Sequence, residues 1–88
     1  MSKLRIGYKP VFVRSFKKLP AALQEYTKER IAMFSADPQH PSLRVHKLKG
    51  RFRGTWSFSI DYKHRVIFVY ENKHTALLLD IGDHDVYE

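Results

Sequence analysis

The stretch GTWSFSIDYKHRVIFVYENKHTALLLDIG, residues 54–82, decides the fold of this chain. At its start, large apolar side chains alternate with small or polar ones, and this period of two is typical of a half-buried strand. Two further apolar runs follow, each after a short polar link. Because links of this length join antiparallel neighbours, the stretch predicts a three-strand meander. The three predicted strands cover residues 55–61, 65–71 and 75–82.

The faces of these strands differ in character. Trp56, Phe58 and Ile60 lie on one face of the first strand, which we expect to be buried. Its second face carries small polar side chains and predicts a shallow floor that is open to a ligand. The third strand is apolar until Asp80, which indicates an interior position in the sheet.

Upstream of the meander, the sequence predicts one strand and two helices. KLRIGY at residues 3–8 alternates as a strand does. Pro10 fits the first turn of a helix, and Pro20 ends that helix and begins the next, which continues to about residue 37. The predicted buried side of the second helix comprises Leu23, Tyr26, Ile31 and Phe34. The helices precede the meander, which favours the α+β class: a single domain over residues 1–88, in the order β-α-α-β-β-β, with both helices on one face of a mostly antiparallel sheet.

Composition limits the classes of protein to which the chain can belong. With 88 residues, 43% of them hydrophobic, it can build one modest core. The sequence has no cysteine, so neither disulfides nor thiolate metal ligands are expected. No apolar run approaches the roughly 20 residues of a membrane helix, and the first ten residues lack the apolar part of a signal peptide. We therefore expect a cytoplasmic protein with no membrane partner.

The positive charge is concentrated in one window. The chain has 16 Lys and Arg against 9 Asp and Glu, a net charge of +7. Between Arg44 and Arg65 there are seven basic residues and a single acid, Asp61, so this window alone carries +6. Such a field suits a polyanion, and nucleic acid is the leading candidate. The alternative is a solubilising basic surface.

Three histidines, His46, His64 and His84, lie in or near this window or at strand ends. Imidazole can give and take a proton near neutral pH. RNA cleavage needs no metal if a base removes the 2′ proton, an acid protonates the leaving 5′ oxygen, and fixed cations stabilise the charged phosphorane. The second half of the chain contains residue types for all three tasks.

A metal centre is the alternative chemistry for the histidines. The pair His84–Asp85 has the form of a motif found in metal phosphohydrolases, but such centres need several converging carboxylates or imidazoles. The other candidate histidines lie among lysines and arginines, which repel a cation. We therefore expect no metal and no other cofactor.

Four short motifs occur in order along nearly the whole chain: SFKKLP at 15–20, HKLKGRFRG at 46–54, RVIFVY at 65–70 and GDHDVYE at 82–88. Together they resemble the RelE/ParE superfamily of bacterial toxin–antitoxin toxins, on its RelE-like mRNA-interferase side. The resemblance implies a microbial-ribonuclease-like RelE fold. It also implies an endoribonuclease that inhibits translation by cutting mRNA in the ribosomal A site. A cognate antitoxin would neutralise it by covering the basic surface with an acidic segment.

The resemblance also implies roles for individual residues. His84 matches a C-terminal histidine that serves as the general acid, and Arg65 matches an arginine that stabilises the charge of the transition state. Tyr87 falls near a terminal aromatic residue that stacks on or orients the substrate base. His46 corresponds to a histidine that is either a general base or a backbone contact. A purely structural alternative is that Arg65 only pairs with Asp61 across the hairpin.

Other residues are expected to support these groups. Asp61 and His64 would contribute from the turn before Arg65. The residues expected to bind RNA or phosphate are Lys47, Lys49, Arg51, Arg53 and Arg44. Two further hypotheses stay open: a ParE-like inhibitor of gyrase without RNA chemistry, and a non-toxic relative that binds an antitoxin or RNA. ParE-like members usually lack the His and Arg constellation, so His84 with Arg65 favours the ribonuclease.

Overall fold

The computed structural model describes residues 3–85 and contains one five-stranded sheet and two α-helices. In chain order the elements are β1 (Arg5–Tyr8), α1 (Pro10–Lys17), α2 (Ala21–Ala36), β2 (His46–Lys47), β3 (Trp56–Ser59), β4 (His64–Asn72) and β5 (Thr75–Asp83). Short 3-10 turns at Pro41–Leu43 and Gly50–Phe52 flank β2. No helix within residues 3–85 is long and apolar enough to cross a membrane.

The sheet has the strand order β1-β5-β4-β3-β2. β1 pairs with β5 in parallel, and every other pair is antiparallel. β5 therefore lies between two strands, as its apolar sequence predicts. The β4–β5 register shifts by one residue, because Ile67 pairs with Asp80 whereas Phe68 pairs with Leu78. This leaves Leu79 as the extra residue of a bulge.

Both helices cover one face of the sheet. Pro10 occupies the first turn of α1, where its missing N–H leaves no hydrogen bond unmade. Phe34 of α2 is fully buried, and its ring lies 4.4 Å from that of Phe58 and 4.8 Å from that of Phe68. This aromatic cluster joins α2 to β3 and β4, and it supplies much of the burial that stabilises the fold.

The α+β class, the element order and the placement of the helices are confirmed. Strand β2 and its flanking turns were not predicted, because the strand is only two residues long. The predicted burial of Tyr26 is wrong: this side chain is 42% exposed. The helix buries Thr27 and Arg30 in addition to the predicted Ile31 and Phe34.

The predicted open floor on the second face is also wrong over most of its length. Leu48 and Ile67 are buried there, with Phe52 packed against them. The segment between β2 and β3 thus covers this face, and Ser57 is fully buried. Only near Ser59, at the end of β3, does the surface stay accessible as part of a cavity.

Candidate active site

A cavity of about 470 Å³ lies at the end of the sheet, where β3 ends, β4 begins and the chain leaves β5. Three arginines line it: Arg30 from α2, Arg44 from the loop before β2, and Arg65 from β4. His84 and Asp61 line the same cavity. Four of the residues predicted for the site, Arg44, Asp61, Arg65 and His84, are thus brought together by the fold.

Arg65 is held by main-chain oxygens. It pairs in the sheet with Ser59 on one side and Gly82 on the other. Its Nη1 donates to the carbonyl of Asp61 at 2.7 Å and to that of His64 at 3.1 Å. Within residues 3–85, Nη2 and Nε make no hydrogen bond. Arg65 therefore does not pair with the Asp61 carboxylate, and one edge of its guanidinium remains available to an anion.

Asp61 organises the turn between β3 and β4. Its Oδ1 accepts the backbone N–H of Lys63 at 2.8 Å and of His64 at 2.7 Å, and lies 3.1 Å from His64 Nδ1. Burial raises the pKa of Asp61, but these donors and the nearby imidazole outweigh it, so the pKa is lowered overall. Asp61 and His64 thus bind each other and fix the turn that carries Arg65.

His84 follows β5 and is tied to the same turn. Its backbone N–H donates to the Lys63 carbonyl at 2.7 Å. Its Nδ1 lies 3.4 Å from that carbonyl and 3.4 Å from Asp83 Oδ1, and its Nε2 lies 3.1 Å from Asp85 Oδ1. All of these neighbours are acceptors. The contacts therefore suit the imidazolium form, in which both ring nitrogens donate.

The acids beside His84 differ in their surroundings. Asp83 Oδ1 accepts the backbone N–H of Asp85 at 3.0 Å. This hydrogen bond lowers the pKa of Asp83, and the charges of His84 and Lys63 lower it further. Asp85 is mostly exposed. The Asp83 carboxylate is therefore expected to be ionised at neutral pH beside the imidazole.

Within residues 3–85 one set of side chains could hold a metal ion. Asp83, His84 and Asp85 each offer one ligand atom, and these atoms lie within 4.8 Å of one another. These atoms already contact one another, with Nδ1 of His84 at 3.4 Å from Asp83 Oδ1 and Nε2 at 3.1 Å from Asp85 Oδ1, and the neighbouring cavity is lined by three arginines. That a metal is not needed stays a prediction.

His46 lies beside this cavity, not in it. It pairs with Ser57 as part of β2, and its Nδ1 lies 2.8 Å from the carbonyl of Arg44. Because a carbonyl only accepts, this contact places the proton on Nδ1 and leaves Nε2 as the basic nitrogen of a neutral ring. This contact is with the protein's own main chain, and the predicted role of His46 in the site stays a prediction.

The remaining predicted residues that the structure describes are not part of the cavity wall. Lys47 lies on the edge strand with its Nζ 5.4 Å from the centre of the Trp56 ring, and Arg51 lies over Phe52. Lys49 and Arg53 are exposed on either side of the turn at Gly50–Phe52. Tyr87 falls outside the described residues.

Four polar wall residues were not predicted from the sequence: Tyr26, Arg30, Ser42 and Tyr62. For Arg30 a signal existed. It follows Thr27 by three residues and precedes Phe34 by four, which places a charged side chain on the buried stripe of α2. The other three lie at helix or loop positions where sequence pattern carries no such signal.

Solved structures share this architecture. YafQ from Escherichia coli superposes with a TM-score of 0.75 at 12% identity, over 96% of this chain and 97% of its own. A YoeB/ParE toxin from Agrobacterium tumefaciens gives 0.73 at 16%, over 92% and 99%. Archaeal RelE in complex with RelB, from Pyrococcus horikoshii, gives 0.72 at 19%, over 92% and 94%. No protein-family model matches the sequence, and no curated protein does. The RelE-like fold expected from the sequence is confirmed.

Proposed function

Because the chain has the RelE-like fold of YafQ, YoeB/ParE and RelE toxins, we propose that it is the toxin of a type II toxin–antitoxin module. We further propose that it is a metal-independent endoribonuclease that cuts mRNA at the ribosomal A site, in the cytoplasm. One observation carries the proposal of an RNA-cleaving activity. Arg65, with one free guanidinium edge, and His84, with acceptors at both ring nitrogens, line the same cavity.

The proposed reaction is an attack by the ribose 2′ oxygen on the adjacent phosphorus. The bond from phosphorus to O2′ forms, the bond to O5′ breaks, and a 2′,3′-cyclic phosphate remains. The His84 imidazolium gives its proton to the leaving O5′, which would otherwise depart as an alkoxide. The free edge of Arg65 binds the non-bridging oxygens and stabilises the charge of the phosphorane.

His46 is proposed as the base that accepts the 2′ proton. Its contact with the Arg44 carbonyl leaves Nε2 free within residues 3–85, and Arg44 itself lines the cavity. This role requires the RNA strand to run past Arg44 to His46, which lies beside the cavity. The sharing of tasks between two imidazoles would give a bell-shaped pH profile for cleavage.

The proposed protein partner is an antitoxin with an acidic segment. The window from Arg44 to Arg65 carries +6 of the chain's net charge. Most of its basic side chains, including Lys47, Lys49 and Arg53, are exposed. The solved structures with this fold include RelE bound to RelB and YafQ bound to DinJ, which supports a partner of this kind. The same exposed cations would contact mRNA and the ribosome.

The test is to induce the protein in a bacterium and map mRNA 5′ ends on ribosomes. Wild type is compared with an Arg65→Ala, His84→Ala double variant. The matched control is Arg14→Ala, His74→Ala, which makes the same changes at exposed positions outside the cavity. We expect cleavage at A-site codons in wild type and control, and none in the cavity variant. Growth arrest without cleavage but with inhibited gyrase would favour a ParE-like inhibitor, and no phenotype would favour a non-toxic binding protein.

The pH profile of cleavage tests whether His84 is the acid and His46 the base. His84→Gln should remove the loss of activity at high pH, where an acid has given up its proton. His46→Gln should remove the loss at low pH, where a base is already protonated. A profile that keeps both limbs in either variant would exclude that histidine from its proposed role.

A further inference from the structure

Arg30 is a buried cation to which residues 3–85 supply no counter-charge. Its side chain leaves α2 toward the cavity and is only 9% exposed. Nη1 donates to Ser42 Oγ at 3.2 Å, and Nη2 donates to the carbonyls of Ser42 at 2.8 Å and Ser59 at 3.0 Å. All three acceptors are neutral. Within residues 3–85, Arg30 forms no ion pair, and its Nε has no hydrogen-bond partner.

Burial of the Arg30 guanidinium among neutral acceptors lowers the stability of the folded chain. Burying a guanidinium removes its hydration, and neutral oxygens return only part of that loss. Among the described residues, Asp61 supplies the one carboxylate of the cavity wall, and this carboxylate is held by backbone N–H groups and His64 at the turn. The charge of Arg30 is thus left for a group that enters the cavity from solvent.

Arg44 is placed at the same cavity with its side chain free. Its backbone has a φ of 51°, which an arginine adopts only at a cost because Cβ then crowds the carbonyl. Several contacts hold this region, among them those of Arg30 with Ser42, two residues earlier, and of His46 with the Arg44 carbonyl. Within residues 3–85 the Arg44 guanidinium has no hydrogen bond or ion pair. The fold therefore maintains a strained backbone at Arg44, although in the described part of the chain its guanidinium forms no stabilising hydrogen bond or ion pair.

We propose that Arg30 and Arg44 form a second phosphate subsite, beside the one at Arg65, for single-stranded RNA. The subsite receives the phosphate of a nucleotide next to the one that is cut, and the inference rests on the proposed ribonuclease function. Arg44 donates hydrogen bonds to this phosphate. Arg30 is a positioning residue: its own donors are occupied, so it contributes fixed positive charge and holds the Ser42 main chain.

The test measures binding of two non-cleavable probes to the full chain. One is a 2′-O-methyl dinucleotide with one phosphate, and the other is a 2′-O-methyl trinucleotide with two. Neither has a free 2′-OH, so binding is separated from cleavage. The Kd of each is measured by fluorescence anisotropy over a range of salt concentrations. The variants are Arg30→Gln, Arg30→Lys and Arg44→Gln, and Arg14→Gln on the exposed side of α1 is the charge-matched control.

For wild type, log Kd should rise more steeply with log salt for the trinucleotide than for the dinucleotide. The two slopes should differ by about 0.7, because the trinucleotide carries one more phosphate on a single strand. Arg30→Gln and Arg44→Gln should lose that extra slope, and Arg14→Gln should keep it. Arg30→Lys retains the charge without the guanidinium fork, so it should keep the slope. Urea unfolding of each variant shows whether it is folded.

Each outcome decides the inference. If Arg30→Lys loses as much slope as Arg30→Gln, the charge of Arg30 is not used and the subsite is overturned. The same holds if Arg30→Gln keeps the slope of wild type. If wild type binds neither probe, the subsite is overturned, and the mapping of mRNA 5′ ends decides the ribonuclease proposal separately. If it binds both with equal slope while His84→Gln still removes the loss of cleavage at high pH, only the second subsite fails.

Discussion

Replacement of Asp61 by alanine tests whether one carboxylate holds the turn that presents Arg65. The Asp61 carboxylate accepts two backbone N–H groups, from Lys63 and His64, and contacts the His64 ring. The main-chain carbonyl of the same residue accepts Nη1 of Arg65. Loss of the carboxylate therefore loosens the backbone on which the arginine depends.

The expected loss of stability follows from these contacts. A hydrogen bond to a charged group contributes about 1.5–3 kcal/mol when it is shielded from water. The Asp61 side chain is 33% exposed, so water replaces part of both backbone contacts. We expect Asp61→Ala to lower the free energy of unfolding by about 1.5–3 kcal/mol in total. Domains of this size have about 4–13 kcal/mol, so the change is large enough to measure.

The assay is urea unfolding followed by tryptophan fluorescence, at neutral pH and in acid. The pKa of Asp61 is lowered from 3.8 in the folded chain, so the unfolded chain takes up the proton first as the pH falls. The stability from Asp61 is therefore fully present above about 3.8 and is lost as the pH falls through the lowered folded pKa. The difference between wild type and Asp61→Ala should shrink over that interval.

Two comparisons sharpen the test. Asp37→Ala makes the same change at an exposed loop position, where the carboxylate forms no hydrogen bond within residues 3–85, and it should have little effect. Asp61→Asn keeps an acceptor for the backbone N–H groups and should cost less than Asp61→Ala. The reasoning is refuted if Asp61→Ala is as stable as wild type at neutral pH, or if its deficit does not change in acid.

Three other changes have defined outcomes. Phe34→Ala should lower the free energy of unfolding by about 3–5 kcal/mol, because loss of a fully buried ring packed against Phe58 and Phe68 leaves a cavity. Calorimetry measures this loss, and a much smaller value would show that the core collapses into the space. Thr27→Val should raise the free energy of unfolding by about 1 kcal/mol, since Thr27 Oγ1 is buried and has no hydrogen-bond partner within residues 3–85. Urea unfolding measures the change, and a lower midpoint would contradict this prediction. Association with the antitoxin should slow as salt is added, because the basic window steers an acidic segment, and stopped-flow rates that do not depend on salt would count against that picture.

Several features of the site were predictable because they depend on short stretches of chain. Arg65 opens an apolar strand and His84 follows the last one, so an antiparallel meander brings them to the same end of the sheet. Asp61 lies in the turn directly before Arg65. These residues were expected together, and they line or support one cavity.

Other features depended on long-range packing. The segment that contains Phe52 folds over the second face of β3 and buries Ser57, because Leu48 and Ile67 need cover that the helices do not provide. Tyr26 faces solvent at the cavity wall, and α2 buries the charged Arg30 in the contact with Ser42 and Ser59. Neither the covering segment nor the partners of a buried arginine can be read from local periodicity.

By itself, the sequence determined the α+β class, the order of the elements, the central position of β5 and the concentration of charge between Arg44 and Arg65. These properties follow from hydrophobic periodicity and composition, which act over a few residues at a time. Only the tertiary structure decided that Arg30, distant from that window along the chain, joins Arg44 and Arg65 in one cavity. Arg30 reaches this cavity because α2 packs its buried side across the end of β3. The position of a charged side chain in space depends on such packing.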